Sequence, residues 1–172
     1  LEPNKEKGRF LPFDLLMVLF DQFPVLVGGG HPFRVGGHIP QLPAAQLKRF
    51  HFFDLNGRDL AKDREATEKV TRKLGQQYRK PVVGGSDTHQ AVQYGCIRTR
   101  FEKTVNEVGE LYREMQKGSY EICISDQAAF QVQTANLLKR SLKEIYALGG
   151  DYVSVLLGKD PAWTALCRKS VG

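Results

Sequence analysis

Along this chain, short apolar runs of the kind found in buried strands alternate with stretches whose apolar residues step by three or four, as helices require. Residues 13–23 are dense in apolar side chains (Phe13, Leu15, Leu16, Val18, Leu19, Phe20), which predicts a buried helix. A short apolar run at 24–27 then meets Gly28, Gly29 and Gly30, followed by His31, Pro32, Phe33 and Arg34. A second run, Phe52 and Phe53, closes on Asp54, Leu55, Asn56, Gly57 and Arg58. A third, Pro81, Val82 and Val83, closes on Gly84, Gly85, Ser86, Asp87, Thr88 and His89. These read as three strands, each ending on polar residues or a glycine turn.

The helical steps fall between and after them. Ala66, Val70, Leu74 and Tyr78 recur every fourth residue beneath Glu65, Glu68, Lys69 and Arg72, so residues 59–78 are predicted as one amphipathic helix. Thr104 and Glu107 have the spacing of a capping box for a helix that stops at Gly118. From Ser125, the series Ala128, Val132, Ala135, Leu138, Leu142, Ile145 predicts a long amphipathic helix ended by Gly149 and Gly150. Residues 160–169 add a short helix with Pro161 in its first turn and Trp163 facing inward. Repeated strand, loop and helix units with polar residues at the strands' carboxyl ends imply a parallel barrel or an open α/β sheet, with the site on that edge. The C-terminal helices either pack on the outside of that scaffold or offer a dimerisation or partner surface. No internal repeat, low-complexity tract or linker interrupts the chain.

The candidate chemistry sits at these strand ends. Asp87 and His89 are two residues apart, so in extended chain a carboxylate and an imidazole share one face, which suits a transition metal. Gly84 and Gly85 just before them allow other groups to approach closely. Arg34 and Arg98 follow site-bearing strand ends, and a guanidinium fork matches phosphate oxygens. His38 and His51 read as structural or exposed residues.

The order His31-Pro32-Phe33-Arg34, then Phe53-Asp54-Leu55-Asn56-Gly57-Arg58, then Gly84-Gly85-Ser86-Asp87-Thr88-His89 with Tyr94-Gly95, resembles the C-terminal half of the PHP (polymerase and histidinol phosphatase) family. The resemblance runs from about Pro12 to Tyr120. It implies part of a distorted (β/α)7 barrel over residues 1–122 with a helical extension over 123–172, and metal-dependent hydrolysis of phosphate esters. It implies divalent manganese, iron or zinc, with His31, Asp87 and His89 as donors and Asn56 and Ser86 as groups that orient them. Asp54 and Asn56 stand where the family usually has Glu-x-x-Asn. The family's opening His-x-His strand and its further His and Glu donors have no counterpart before His31.

The chain is therefore expected to be the C-terminal portion of a longer phosphoesterase, inactive alone because three donors under-coordinate metals that want about four to six. Its expected partners are the missing N-terminal half of the barrel, a second copy through dimerisation or strand exchange, and a phosphorylated substrate. The alternative is a metal-free interaction or regulatory module on the same scaffold.

Composition bounds these readings. A length of 172 residues and a hydrophobic fraction of 41% suit one compact unit, and no window reaches the ~20 apolar residues of a membrane span. Cys96, Cys123 and Cys167 are odd in number and unpaired in spacing, which excludes a disulfide framework or zinc ribbon and fits a reducing cytoplasm. Cys96 reads as packing, with metal ligation as its alternative. The net charge of +6 is dispersed over small clusters (Arg79-Lys80, Lys139-Arg140, Arg168-Lys169), expected on solvated helix faces, and no nucleic-acid motif accompanies it.

Overall fold

The computed structural model describes residues 11–150. Helix α1 (Phe13–Phe20) leads into β1 (Gly28–Gly29), a single 3-10 turn (Ile39–Gln41), α2 (Ala44–Leu47), β2 (Phe52–Asn56), α3 (Gly57–Leu60), α4 (Arg64–Tyr78) and β3 (Val82–Gly85). A second 3-10 turn (Ala91–Gln93), β4 (Ile97–Phe101), α5 (Val108–Lys117), β5 (Tyr120–Ile124) and α6 (Ala128–Ala147) complete it. The residues expected to form a helix at 160–169, with Trp163 and Cys167, lie outside the described residues.

The parallel sheet has the order β1-β2-β3, with Gly29 opposite Phe53 and Asn56 opposite Gly85. The second and third expected strands form, whereas the first pairs only through Gly28 and Gly29, and the apolar run 24–27 before them lies outside the sheet. Strand β2 divides its residues by parity. Phe53 and Leu55 are fully buried in the hydrophobic core, while Asp54 and Asn56 share the other face and are hydrogen-bonded to each other. Two apolar clusters flank this strand. Leu55, Leu60, Val82, Cys96, Ile97, Ala128 and Val132 form one; Leu47, Phe50, Phe53 and Leu74 form the other. Cys96 is thus a packing residue.

The fold is mixed α/β, and the described residues form no closed barrel. Strands β4 and β5 were missed in the sequence and pair antiparallel, with Phe101 opposite Tyr120 and Ile97 opposite Ile124. Tyr120 fixes this direction, because its ring packs on Phe101 at 5.7 Å and its hydroxyl donates to the Val82 carbonyl at 2.8 Å. Hydroxyl groups stitch this pair to the parallel sheet. Thr99 Oγ1 accepts from the Gly84 N–H at 2.8 Å, and Ser86 Oγ donates to the Ile97 carbonyl at 2.6 Å. Gly84 permits the approach, since a Cβ there would lie 2.6 Å from Ile122 Cγ2 and 2.8 Å from Ile97 Cγ2.

Four helical expectations are corrected by packing and capping. Helix α1 ends at Phe20 and buries only Met17 completely; Leu15, Val18 and Leu19 are exposed, because a helix apolar on all sides needs more neighbours than the described residues supply. The segment 59–78 is broken at Asp63, whose carboxylate caps α4 by accepting from the Ala66 N–H at 3.0 Å. The buried face of α4 is Thr71, Leu74 and Gly75, so Ala66 and Val70 turn outward. The Thr104 capping box does not form: α5 starts at Val108 after Glu107, without a side-chain cap.

Helix α6 follows the predicted stripe at Ala128, Val132, Ala135 and Ile145, although Leu138 is exposed. Its end is a Schellman motif. Gly149 adopts φ +88°, the Gly150 N–H bonds to the Ile145 carbonyl, and the Gly149 N–H to that of Tyr146. Helix α6 packs along α3 and the Ala91–Gln93 turn. Among the described residues no helix is long and apolar enough to cross a membrane.

Candidate functional site

The carboxyl ends of β1, β2 and β3 meet at one edge of the parallel sheet, and their polar residues form a single hydrogen-bonded cluster around Arg34. The Arg34 guanidinium donates to Asp87 Oδ2 at 2.9 Å, to Asn56 Oδ1 at 2.5 Å and to Asp59 Oδ1 at 3.3 Å. Asn56 is almost wholly buried, and both polar atoms of its carboxamide are hydrogen-bonded. Its Oδ1 also accepts from the Arg58 N–H at 3.0 Å, capping α3, and its Nδ2 donates to Asp54 Oδ2 at 3.0 Å. The cluster borders a cavity of about 180 Å³ lined by Pro32, Phe33, Arg34, Asp54 and Lys62, among others.

Local backbone geometry aims these groups. His31 follows the glycine run with φ 36° and Asp87 follows Gly84-Gly85-Ser86 with φ 53°; both sit in the left-handed region that non-glycine residues seldom adopt. Such outliers are held only where their surroundings over-determine them. For the loop after β3 the holder is Gln93, a buried residue whose importance the sequence does not disclose. Its Nε2 donates to the Ser86 and Asp87 carbonyls, each at 2.8 Å, and its Oε1 accepts from the His89 N–H at 3.2 Å. The His31 backbone N–H in turn donates to the Asp54 carboxylate. Gly85 makes room for that carboxylate, since a Cβ there would lie 2.9 Å from Asp54 Oδ1.

Burial pushes the Asp54 carboxyl above the ordinary carboxylate range. Hydrogen bonds from Asn56 and the His31 backbone oppose the rise, as does the His31 charge, while the Asp87 charge adds to it. Asp54 and Asp59 are thus members of the cluster that sequence reading assigned no role. The signal for Asp54 was its parity with Asn56 on β2; Asp59 gave none.

The residues anticipated from the sequence divide as follows. His31, Asp87, His89, Arg34 and Asn56 lie at this edge, with His89 Nε2 3.6 Å from Asp87 Oδ1 and its side chain half exposed. Arg34 is occupied by acidic partners. Arg98 is exposed on the face of β4 opposite Ile97 and Thr99, and the structure does not bring it to the cluster. Ser86 faces β4, where its hydroxyl bonds Ile97, so it orients no imidazole. His51 is structural: its Nδ1 accepts from the Val27 N–H at 2.9 Å and its ring meets Tyr112 edge-on at 5.3 Å. His38 is exposed.

The donor set was tested against a metal ion. Among the described residues no three His, Cys, Asp or Glu side chains are placed to hold one. A guanidinium instead neutralises Asp87 at hydrogen-bond distance. As arranged, the residues present do not fit a metal site by themselves.

Comparison with known proteins agrees with the family resemblance over part of the chain. No curated protein matches the sequence. The structure is similar to that of PsfC from Pseudomonas syringae PB-5123, with a TM-score of 0.62 and 20% identity over 81% of this chain. The chain spans 55% of the length of that protein, and a likeness at this identity speaks for the fold alone. Residues 70–120 match the family model described as PHP-associated. The match takes in the second half of α4, then β3, Asp87, His89, β4 and α5, and is consistent with the C-terminal part of a PHP-family domain.

Proposed function

We propose that the chain is the C-terminal portion of a PHP-like metal-dependent phosphoesterase, and that the cluster at the parallel sheet edge is its share of the active site. One observation carries the reading: polar residues from three successive parallel strand ends converge on one edge, where α/β sheets and barrels build their sites, and the third lies within the PHP-associated match. In this reading residues 1–122 belong to a distorted (β/α)7 barrel and 123–172 are a helical extension. His31, Asp87 and His89 are metal donors of the complete protein, for manganese, iron or zinc. The remaining donors come from polypeptide that adds to the open edge of β1, either the N-terminal half or, by dimerisation or strand exchange, a second copy.

The substrate is a phosphate ester: a phosphomonoester, a nucleotide or a nucleic-acid end. Alone, the chain hydrolyses none of them, because its donors are too few. The free thiols of Cys96 and Cys123 suit a reducing, cytoplasmic setting.

The Arg34 contacts favour a second reading, a metal-free interaction or regulatory module, since a resident guanidinium already supplies the positive charge that Asp87 and Asp59 require. Metal content of the full-length gene product separates the two. The phosphoesterase reading expects bound divalent metal that is lost in His31→Ala and Asp87→Ala. Unchanged metal in those variants removes the donor assignment, and a metal-free full-length protein leaves the module.

A further inference from the structure

A second concavity, distinct from the strand-end cluster, lies between α3 and α6. It has a volume of about 400 Å³. Five cationic side chains line it: Arg58 and Lys62 from the α3 side, and Lys139, Arg140 and Lys143 from α6. Gln133 and Asn136 add carboxamides, Ala61 and Val132 complete the lining, and among the described residues neither a carboxylate nor an aromatic ring takes part.

The charges are drawn together from distant sequence. Positions 136, 139, 140 and 143 share one face of α6 by helical spacing. The five cations have no acidic partner among the described residues, unlike Arg34, Arg49, Arg72, Arg100 and Lys103 elsewhere in the chain. Like charges four apart on a helix, such as Lys139 and Lys143, destabilise it, and a facing wall of Arg58 and Lys62 adds to the repulsion. An arrangement that carries this cost in a concave, carboxylate-free cleft is suited to an anion. Five cations and two carboxamide donors match an anion of several charges and many oxygens, as in a chain of linked phosphates. A concavity of this size suits a compact ligand rather than an extended polymer, and among the described residues no aromatic ring offers a platform for stacking bases.

We propose that the cleft between α3 and α6 is a binding site for a compact polyphosphate-bearing small molecule, recognised through its phosphates. The site stands independently of the phosphoesterase reading. Lys62 also borders the strand-end cavity, so the two sites are neighbours.

Inorganic tripolyphosphate is the probe, titrated calorimetrically into the 172-residue chain against sulfate at equal ionic strength. Tripolyphosphate should bind at least about tenfold tighter than sulfate, and weaken as salt rises. Lys139→Gln with Arg140→Gln, on one wall, and Lys62→Gln, on the other, should each reduce affinity, the pair by about tenfold or more. Circular dichroism should show the native helix content in all of them. Asp87→Asn, at the strand end, should bind tripolyphosphate as the unaltered chain does.

Equal affinity for sulfate and tripolyphosphate overturns the proposal. So does undiminished binding in folded variants of either wall, or loss of binding in folded Asp87→Asn. Tight binding of a short DNA duplex that tripolyphosphate cannot displace would assign the surface to nucleic acid instead and overturn it equally.

Discussion

Two charged networks in this molecule look alike in composition and differ in almost everything that sets their energetic weight. At the sheet edge, Arg34 joins Asn56, Asp59 and Asp87 across 22, 25 and 53 positions of sequence, with the Arg34, Asp59 and Asp87 side chains no more than 20% exposed. Around α5, Lys103, which precedes the helix, meets Glu110 at 2.9 Å and Glu114 at 3.4 Å, and Lys117 meets Glu114 at 3.0 Å, with the Glu114 carboxylate buried. Both lysines there are more than half exposed. The α5 network forms between near neighbours and its lysine ends stand in water, so losing one lysine costs little even though the Glu114 carboxylate is buried. The strand-end network ties three loops together in a poorly solvated place, where loss of one member strands the others. The difference shows that geometry at the sheet edge is set by tertiary electrostatics around a poorly exposed guanidinium, whereas the α5 carboxylates are met by exposed lysines.

The sharpest way to break this contrast is Arg34→Ala. It leaves Asp87, Asp59 and Asn56 without their donor, and should lower unfolding free energy by about 3 kcal/mol, as breaking a buried ion pair does. A urea denaturation midpoint no lower than that of an exposed-pair variant would show the two networks to be equivalent.

Asn56→Ala comes next. It removes the acceptor for Arg34 and the Arg58 N–H and the donor to Asp54, for an expected loss of about 2 kcal/mol by the same measurement.

Acid titration sharpens the comparison through sign. Asp54 is raised by burial, so the folded protein binds its proton more readily than the unfolded chain does. Its contribution is present below the ordinary value of 3.8 and is lost as pH rises through the higher folded value. Glu114 is held below 4.5 chiefly by Lys117, and Glu110 chiefly by Lys103, so their contribution is present above 4.5 and is lost as pH falls through the lower folded values. The stability of the unaltered chain relative to Asp54→Asn should therefore decline as pH rises above about 4, and relative to Glu114→Gln should grow with pH over the acid range. Parallel slopes in the two comparisons would remove the distinction.

The smallest effect belongs to Lys103→Ala at neutral pH. Its denaturation midpoint should be unchanged within error, and insensitive to added salt.

How far the sequence disclosed the fold can be seen element by element. The second and third parallel strands were legible because each is an apolar run with a polar or glycine end, and α6 because its apolar stripe persists over five turns before paired glycines. The first strand was displaced, since its pairing falls on Gly28 and Gly29 rather than on the apolar run before them. The alternations Ile97-Arg98-Thr99-Arg100-Phe101 and Tyr120-Glu121-Ile122-Cys123-Ile124 carry the two-residue period of β4 and β5, but each is short and neither reveals its partner. For α4, regular spacing at Ala66 and Val70 pointed to the wrong face, since Val82 and the sheet pack against Thr71, Leu74 and Gly75. At the site, strand-end position put His31, Asp87 and His89 on one edge of the sheet, though it did not bring all three to one point. Nothing local revealed that Arg34 faces inward to carboxylates, or that Gln93 holds the Asp87 loop.

What the sequence determined by itself is periodicity and punctuation: where strands and helices form, which turns glycine closes, and which polar residues stand at strand ends. These depend on sterics and burial patterns that act within a few residues. Tertiary structure alone decided which charges meet. It gave Arg34 to Asp87, Asp59 and Asn56, and set Arg58 and Lys62 opposite Lys139, Arg140 and Lys143 with no acid among the described residues between them. Coulomb interactions follow distance in space and solvent exposure, and neither quantity exists until the elements have packed.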